Sequence, residues 1–131
     1  MISFSRRSRR FKVNGRFAVR LEGQGRRLEG RLVSLSAHGA YVEMSSELRE
    51  RETVSLELDL PKPALRPLSF QCTVVWCNRP RAPEAPGLPE GCALSFLPDR
   101  TVMMNALDAV KVLRATGHLS RQNSSTALPA C

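Results

Sequence analysis

Aromatic residues are scarce in this 131-residue chain: one tryptophan, one tyrosine and five phenylalanines, 5% in all. Most fall on alternating, inward-looking positions, so a row of exposed rings for stacking nucleic-acid bases is hard to assemble. Histidine is rarer still, with only His38 and His118. Both lie far in sequence from Cys72, Cys77, Cys92 and Cys131, and no CxxC pair exists, so no metal site is expected. No stretch is long and apolar enough to span a bilayer, and the basic start, Met1 to Phe11, is not followed by the apolar segment of a signal peptide. These absences predict a cytoplasmic chain with no membrane insertion, its cysteines remaining thiols in a reducing compartment. Cys72 and Cys92 fall on inward strand positions, where a thiol behaves as a small hydrophobe. Catalytic patterns are missing too. There is no Ser/His/Asp arrangement, no carboxylate pair in a turn and no P-loop, so no catalytic residue is predicted and an enzyme is not expected. Acidic residues such as Glu57 and Asp59 occupy outward strand positions, and the run Glu47 to Glu52 reads as a solvated face.

What the chain does have is positive charge, unevenly spread. Residues 1–31 carry ten basic side chains (Arg6, Arg7, Arg9, Arg10, Lys12, Arg16, Arg20, Arg26, Arg27 and Arg31) against Glu22 and Glu29, a net +8. The other hundred residues hold ten basic and ten acidic groups and sum to zero. One end of a balanced domain therefore meets something anionic: a phosphate-bearing small molecule, a nucleic acid, or an acidic protein or membrane surface.

Period-two alternation of apolar and polar residues dominates the first two-thirds and predicts six strands. Phe17, Val19 and Leu21 share one face; Gly23-Gln24-Gly25 is a turn; Leu28, Gly30 and Leu32 continue beyond it. Ala40 to Met44, Thr53 to Leu60, Leu68 to Cys77 and Gly91 to Leu97 supply the rest. In the fifth, Phe70, Cys72, Val74 and Trp76 alternate, which assigns Trp76 to the core. The proline-rich stretch Asn78 to Glu90 reads as a long exposed loop. From Asp99, an N-cap by type, Val102, Met103, Ala106, Leu107, Val110 and Leu113 recur at helical spacing up to Gly117. Six strands and one amphipathic helix predict a small closed barrel with the helix against it.

Two clusters carry chemistry. Arg6-Arg7-Ser8-Arg9-Arg10 contains the spacing RxxxR as Arg6 and Arg10. A guanidinium offers five donors in a planar fork, bonds phosphate or a guanine edge bidentately, and stacks on purines. The second cluster is the polar turn Ser34-Leu35-Ser36-Ala37-His38-Gly39, where Ser36 bonds either a phosphate oxygen or its own backbone. Gly39 tolerates a tight turn or a close approach, and His38 is expected to face solvent.

In that order, and with Gly91-Cys92-Ala93-Leu94-Ser95-Phe96-Leu97 closing the set, these segments resemble the PilZ domain, a bacterial family with an RxxxR motif and a (D/N)xSxxG motif. The resemblance runs over roughly residues 5 to 115. It implies a mainly β fold, a six-stranded antiparallel PilZ-type barrel with a C-terminal α-helix. The implied organisation is a basic arm over 1–14, barrel and helix over 15–117, and a disordered tail over 118–131. It also implies a receptor for cyclic di-GMP, with no cofactor, whose N-terminal arm rearranges on binding and signals to a partner protein. The implied ligand-binding residues are Arg6, Arg10, Ser34, Ser36 and Gly39, with Arg7 and Arg9 as secondary candidates. Ser34 stands where the family carries Asp or Asn to read the guanine edge. Loss of one charge-assisted bond, about 1.5–3 kcal/mol, corresponds to roughly ten- to a hundredfold in affinity. The alternative is a degenerate PilZ domain acting as a ligand-independent protein-interaction module; a nucleic-acid binder is disfavoured by the scarcity of rings.

Overall fold

A computed structural model of the chain describes residues 10–45, 48–61, 67–79 and 87–121. Its elements are β1 (Phe11–Val13), β2 (Ala18–Gly23), β3 (Arg26–Leu35), β4 (Gly39–Glu43), β5 (Thr53–Leu58), β6 (Leu68–Asn78), β7 (Gly91–Phe96), α1 (Arg100–Ala115) and β8 (Leu119–Arg121). Six strands close on themselves in the order β2-β5-β6-β7-β4-β3, with β3 returning to β2. Every pairing is antiparallel. The β2–β3 hairpin turns on Gln24 and Gly25, at φ +53° and +73°. Two consecutive left-handed residues match the right-handed twist of the flanking strands.

Period-two patterning fills the barrel as expected. Val19 and Leu21 from β2, Val54, Leu56 and Leu58 from β5, and Phe70, Cys72 and Val74 from β6 meet in one buried cluster. Phe70 and Phe96 stack within it, ring centroids 4.7 Å apart. A close approach is needed where β7 meets β4: a Cβ on Gly91 would lie 2.0 Å from the Val42 carbonyl oxygen, so only glycine fits there.

The helix begins where its cap predicts. Asp99 accepts hydrogen bonds from the amides of Thr101 (2.8 Å) and Val102 (3.3 Å). Asp99→Ala should lower stability by about 1 kcal/mol, read as a reduced denaturant midpoint at unchanged slope. The stripe Val102, Ala106, Ala109 and Leu113 joins the barrel core. Met103 and Leu107 do not: they are 46% and 52% exposed, with Met104 beside them at 58%. Their helical spacing is correct, but at 100° per residue they lie roughly 90° and 130° around the axis from the centre of the buried stripe, beyond the width the barrel covers.

Three sequence expectations change. The stretch expected to open a disordered tail at His118 remains ordered through Arg121, because β8 pairs with β1 in the register Phe11↔Arg121, Lys12↔Ser120 and Val13↔Leu119. The 78–90 segment is not exposed throughout. Asn78 belongs to β6, and its side-chain amide donates to the carbonyls of Leu88 (3.0 Å) and Pro89 (3.3 Å). The run ending at Glu52 is not wholly solvated either. Leu48 is buried, and the Glu52 carboxylate, 7% exposed, pairs with Arg26 at 3.1 Å.

Candidate ligand-binding site

β3 is ten residues long, and its two halves serve different partners on one edge. Residues 26–31 pair with β2, whereas Ser34 and Leu35 pair with β1 as Lys12↔Ser34 and Phe11↔Leu35. Carried one residue back, that register brings Arg10 to Ser36. The root of the arginine arm and the serine turn thus become neighbours in space, although about 25 residues separate them in sequence. Arg10 is half-buried, with all three guanidinium nitrogens enclosed. Arg6, Arg7 and Arg9 lie outside the described residues.

A β-bulge decides which way the motif faces. Between Leu32 and Ser34 the β3–β4 register slips, so Leu32 and Leu35 both enter the core opposite Val42 and Ala40. Ser34 pairs with Tyr41 and with Lys12, on the outer face of the barrel. A second bulge, between Val74 and Trp76, does the same to β6. Val74 points in, Trp76 points out, and Cys77 points in again. Trp76 is therefore buried, but not in the barrel core. It forms a separate cluster with Tyr41 and Ala93, edged by Val33, Val75 and Leu88. The Tyr41 and Trp76 rings lie 5.5 Å apart, and the Tyr41 hydroxyl donates to the Pro89 carbonyl. Burial pushes the Tyr41 phenol up to about 12. The Trp76 Nε1 is enclosed with no hydrogen-bond partner among the described residues.

The turn is held by its own serine. The Ser36 hydroxyl accepts from the amides of His38 (3.1 Å) and Gly39 (3.2 Å), and the Ser36 amide donates to the Gly39 carbonyl at 2.9 Å. Of the two partners open to Ser36 on sequence grounds, the backbone is the one engaged. Gly39 is buried as the first residue of β4, opposite Ser95, and is not at positive φ. His38 is exposed, as expected.

The charge of the first 31 residues divides in two. Arg20 binds Glu57 and Asp59, Arg26 binds Glu52, Arg27 lies 3.8 Å from Glu22, and Arg31 binds Glu43 at 2.9 Å. Hydrogen bonds from Arg20 hold the Asp59 carboxyl below its usual range. These pairs balance the charge of four strand arginines, Arg20, Arg26, Arg27 and Arg31. Sequence patterning alone does not show Tyr41 as the cross-strand partner of Ser34, nor Trp76 packed against Tyr41. The available signal was the adjacent apolar pairs Leu32-Val33 and Val74-Val75, which break strict alternation where a bulge inserts. Among the described residues no group of three or more His, Cys, Asp or Glu side chains is placed to hold a metal ion, and no helix is long and apolar enough to cross a membrane.

The described residues form a closed six-stranded antiparallel barrel with the strand root at Arg10 beside the serine turn. The chain matches the PilZ domain family over residues 4–110, and it belongs to that family. Its fold is similar to the PilZ domain, with c-di-GMP, of YcgR from Escherichia coli: TM-score 0.63, 15% identity, covering 85% of this chain and 93% of that one. It is also similar to the Bacillus subtilis inhibitor of motility (MotI/DgrA): TM-score 0.56, 18% identity, covering 84% of this chain and 48% of that one. No curated protein sequence matches the chain significantly.

Proposed function

We propose that this PilZ domain is a receptor for cyclic di-GMP, binding it on the outer face where the arginine arm meets the Ser34–Gly39 motif. The observation that carries this reading is the register of β1 on β3, which gathers Arg10, Lys12, Ser34 and the Ser36 turn at one place. A cyclic dinucleotide presents two phosphates and two guanines, and guanidinium forks suit both. Arg6 and Arg10 grip the ligand, with Arg7 and Arg9 as further donors. Ser36 and Gly39 shape the turn, and Ser34 faces the base. The arm loses its conformational freedom on binding, which makes it the moving part. Its root, β1, also holds β8, and Phe11 lies beneath the Arg114 guanidinium of α1, 4.9 Å from ring centroid to Cζ. Ordering of the arm therefore acts on the strand that joins barrel to helix, and a partner protein reads the result.

Calorimetric titration with cyclic di-GMP tests the proposal. Ser34→Asp should raise affinity roughly ten- to a hundredfold, because a carboxylate accepts guanine N–H bonds that a serine hydroxyl accepts weakly. Absence of heat from both proteins at high micromolar nucleotide would leave the barrel as a ligand-independent interaction module.

A further inference from the structure

We infer that Cys77 and Cys92 form a reversible intrachain disulfide, a modification site at the base of the 78–90 segment. The two residues are direct cross-strand partners in the β6–β7 ladder. Their sulfurs lie 3.0 Å apart in the buried core. That separation is inside the van der Waals contact of two sulfurs and about 1 Å from a bond of about 2.05 Å, so small side-chain rotations close it. The β6 bulge creates this juxtaposition. With unbroken alternation Cys77 would face outward, away from Cys92; the slip between Val74 and Trp76 turns it inward. Cys72, on the same strand, pairs with Phe96 and has no cysteine opposite it.

The pair is buried but close to an exit. Beyond it the ladder has the Asn78↔Gly91 pair and then the 78–90 segment. Opening the end of that ladder exposes Cys77, and such local openings cost less than global unfolding. The oxidant is a low-molecular-weight disulfide. The Cys77 thiolate attacks one sulfur, releasing one small thiol and leaving a mixed disulfide. The Cys92 thiolate then attacks the Cys77 sulfur and expels the second small thiol. Two protein thiols and one small disulfide become one protein disulfide and two small thiols, which carry away the protons. The product ties β6 to β7 beneath the Tyr41–Trp76 cluster. It also removes the Cys77 sulfhydryl, 3.5 Å from the Leu48 carbonyl, as a donor.

The test uses the full chain carrying Cys131→Ser, incubated with oxidised glutathione both folded and during refolding. Remaining thiols are alkylated in denaturant, and the protein is cleaved with chymotrypsin, which cuts after Trp76 and separates Cys72 from Cys77. The expected result is a mass lower by two hydrogens, an unalkylated 77–94 peptide that carries the Cys77–Cys92 bond internally, since Leu88 precedes a proline and is not cut, and alkylated Cys72. The melting temperature should rise by on the order of 10 °C, reversed by dithiothreitol. Cys72→Ser should keep the bond, and Cys77→Ser or Cys92→Ser should lose it. Full alkylation of Cys72, Cys77 and Cys92 under both regimes, or a linkage through Cys72, would overturn the inference.

Discussion

Alanine at both Arg6 and Arg10 should lower the affinity for cyclic di-GMP by about 10²- to 10⁴-fold. Each guanidinium contributes at least one charge-assisted bond to a phosphate or a guanine edge, worth about 1.5–3 kcal/mol. Two such losses amount to about 3–6 kcal/mol, at 1.4 kcal/mol per factor of ten. Calorimetry reads the change directly. Arg16→Ala serves as the comparison, because Arg16 is an exposed arginine of the same segment lying beyond β1. It should change affinity no more than about threefold, since a solvated charge at a distance is largely screened. Arg10→Lys should fall between wild type and Arg10→Ala, because lysine keeps the charge and loses the planar fork. Wild-type heat from the double alanine variant would place the ligand elsewhere on the molecule.

Phe70→Ala should cost about 3–5 kcal/mol of folding stability. Phe70 is 1% exposed, pairs with Leu56 across β5–β6 and stacks on Phe96. Truncation removes the ring's transfer energy and leaves a cavity that a closed barrel cannot readily collapse. Thermal unfolding should shift down by about 10–20 °C, and the denaturant midpoint should fall at unchanged slope. Phe70→Leu should cost less than half as much, since it keeps most of the volume. A loss below 1 kcal/mol for the alanine variant would contradict the packing described.

The barrel was readable because its strands alternate so cleanly. Thr53 to Leu58 has Val54, Leu56 and Leu58 buried in strict period two. Differences cluster where that period breaks. Trp76 is buried, as its apolar series predicts, but the bulge after Val74 moves it off the face of Phe70, Cys72 and Val74 into a second cluster with Tyr41 and Ala93. Met103 and Leu107 share the helical spacing of Val102 and Ala106 yet stay exposed, because helical spacing reports a face without reporting how much of that face a neighbour covers. β1 and β8 were missed because three-residue strands carry no period of their own. They exist because each supplies the other's hydrogen bonds beside β3.

By itself the sequence determined six strands, a capped helix, the basic arm and the RxxxR and serine-turn motifs. Each of these is a property of residues close together along the chain: alternation, capping, turn chemistry and local charge. The tertiary structure alone decided which arginines are neutralised and which side the motif faces. Arg20 meets Glu57 across 37 positions of sequence, and Ser34 reaches the outer face beside Tyr41 through a slip in pairing. Such outcomes depend on strand register between distant segments, and side-chain direction in a sheet reverses with every one-residue shift.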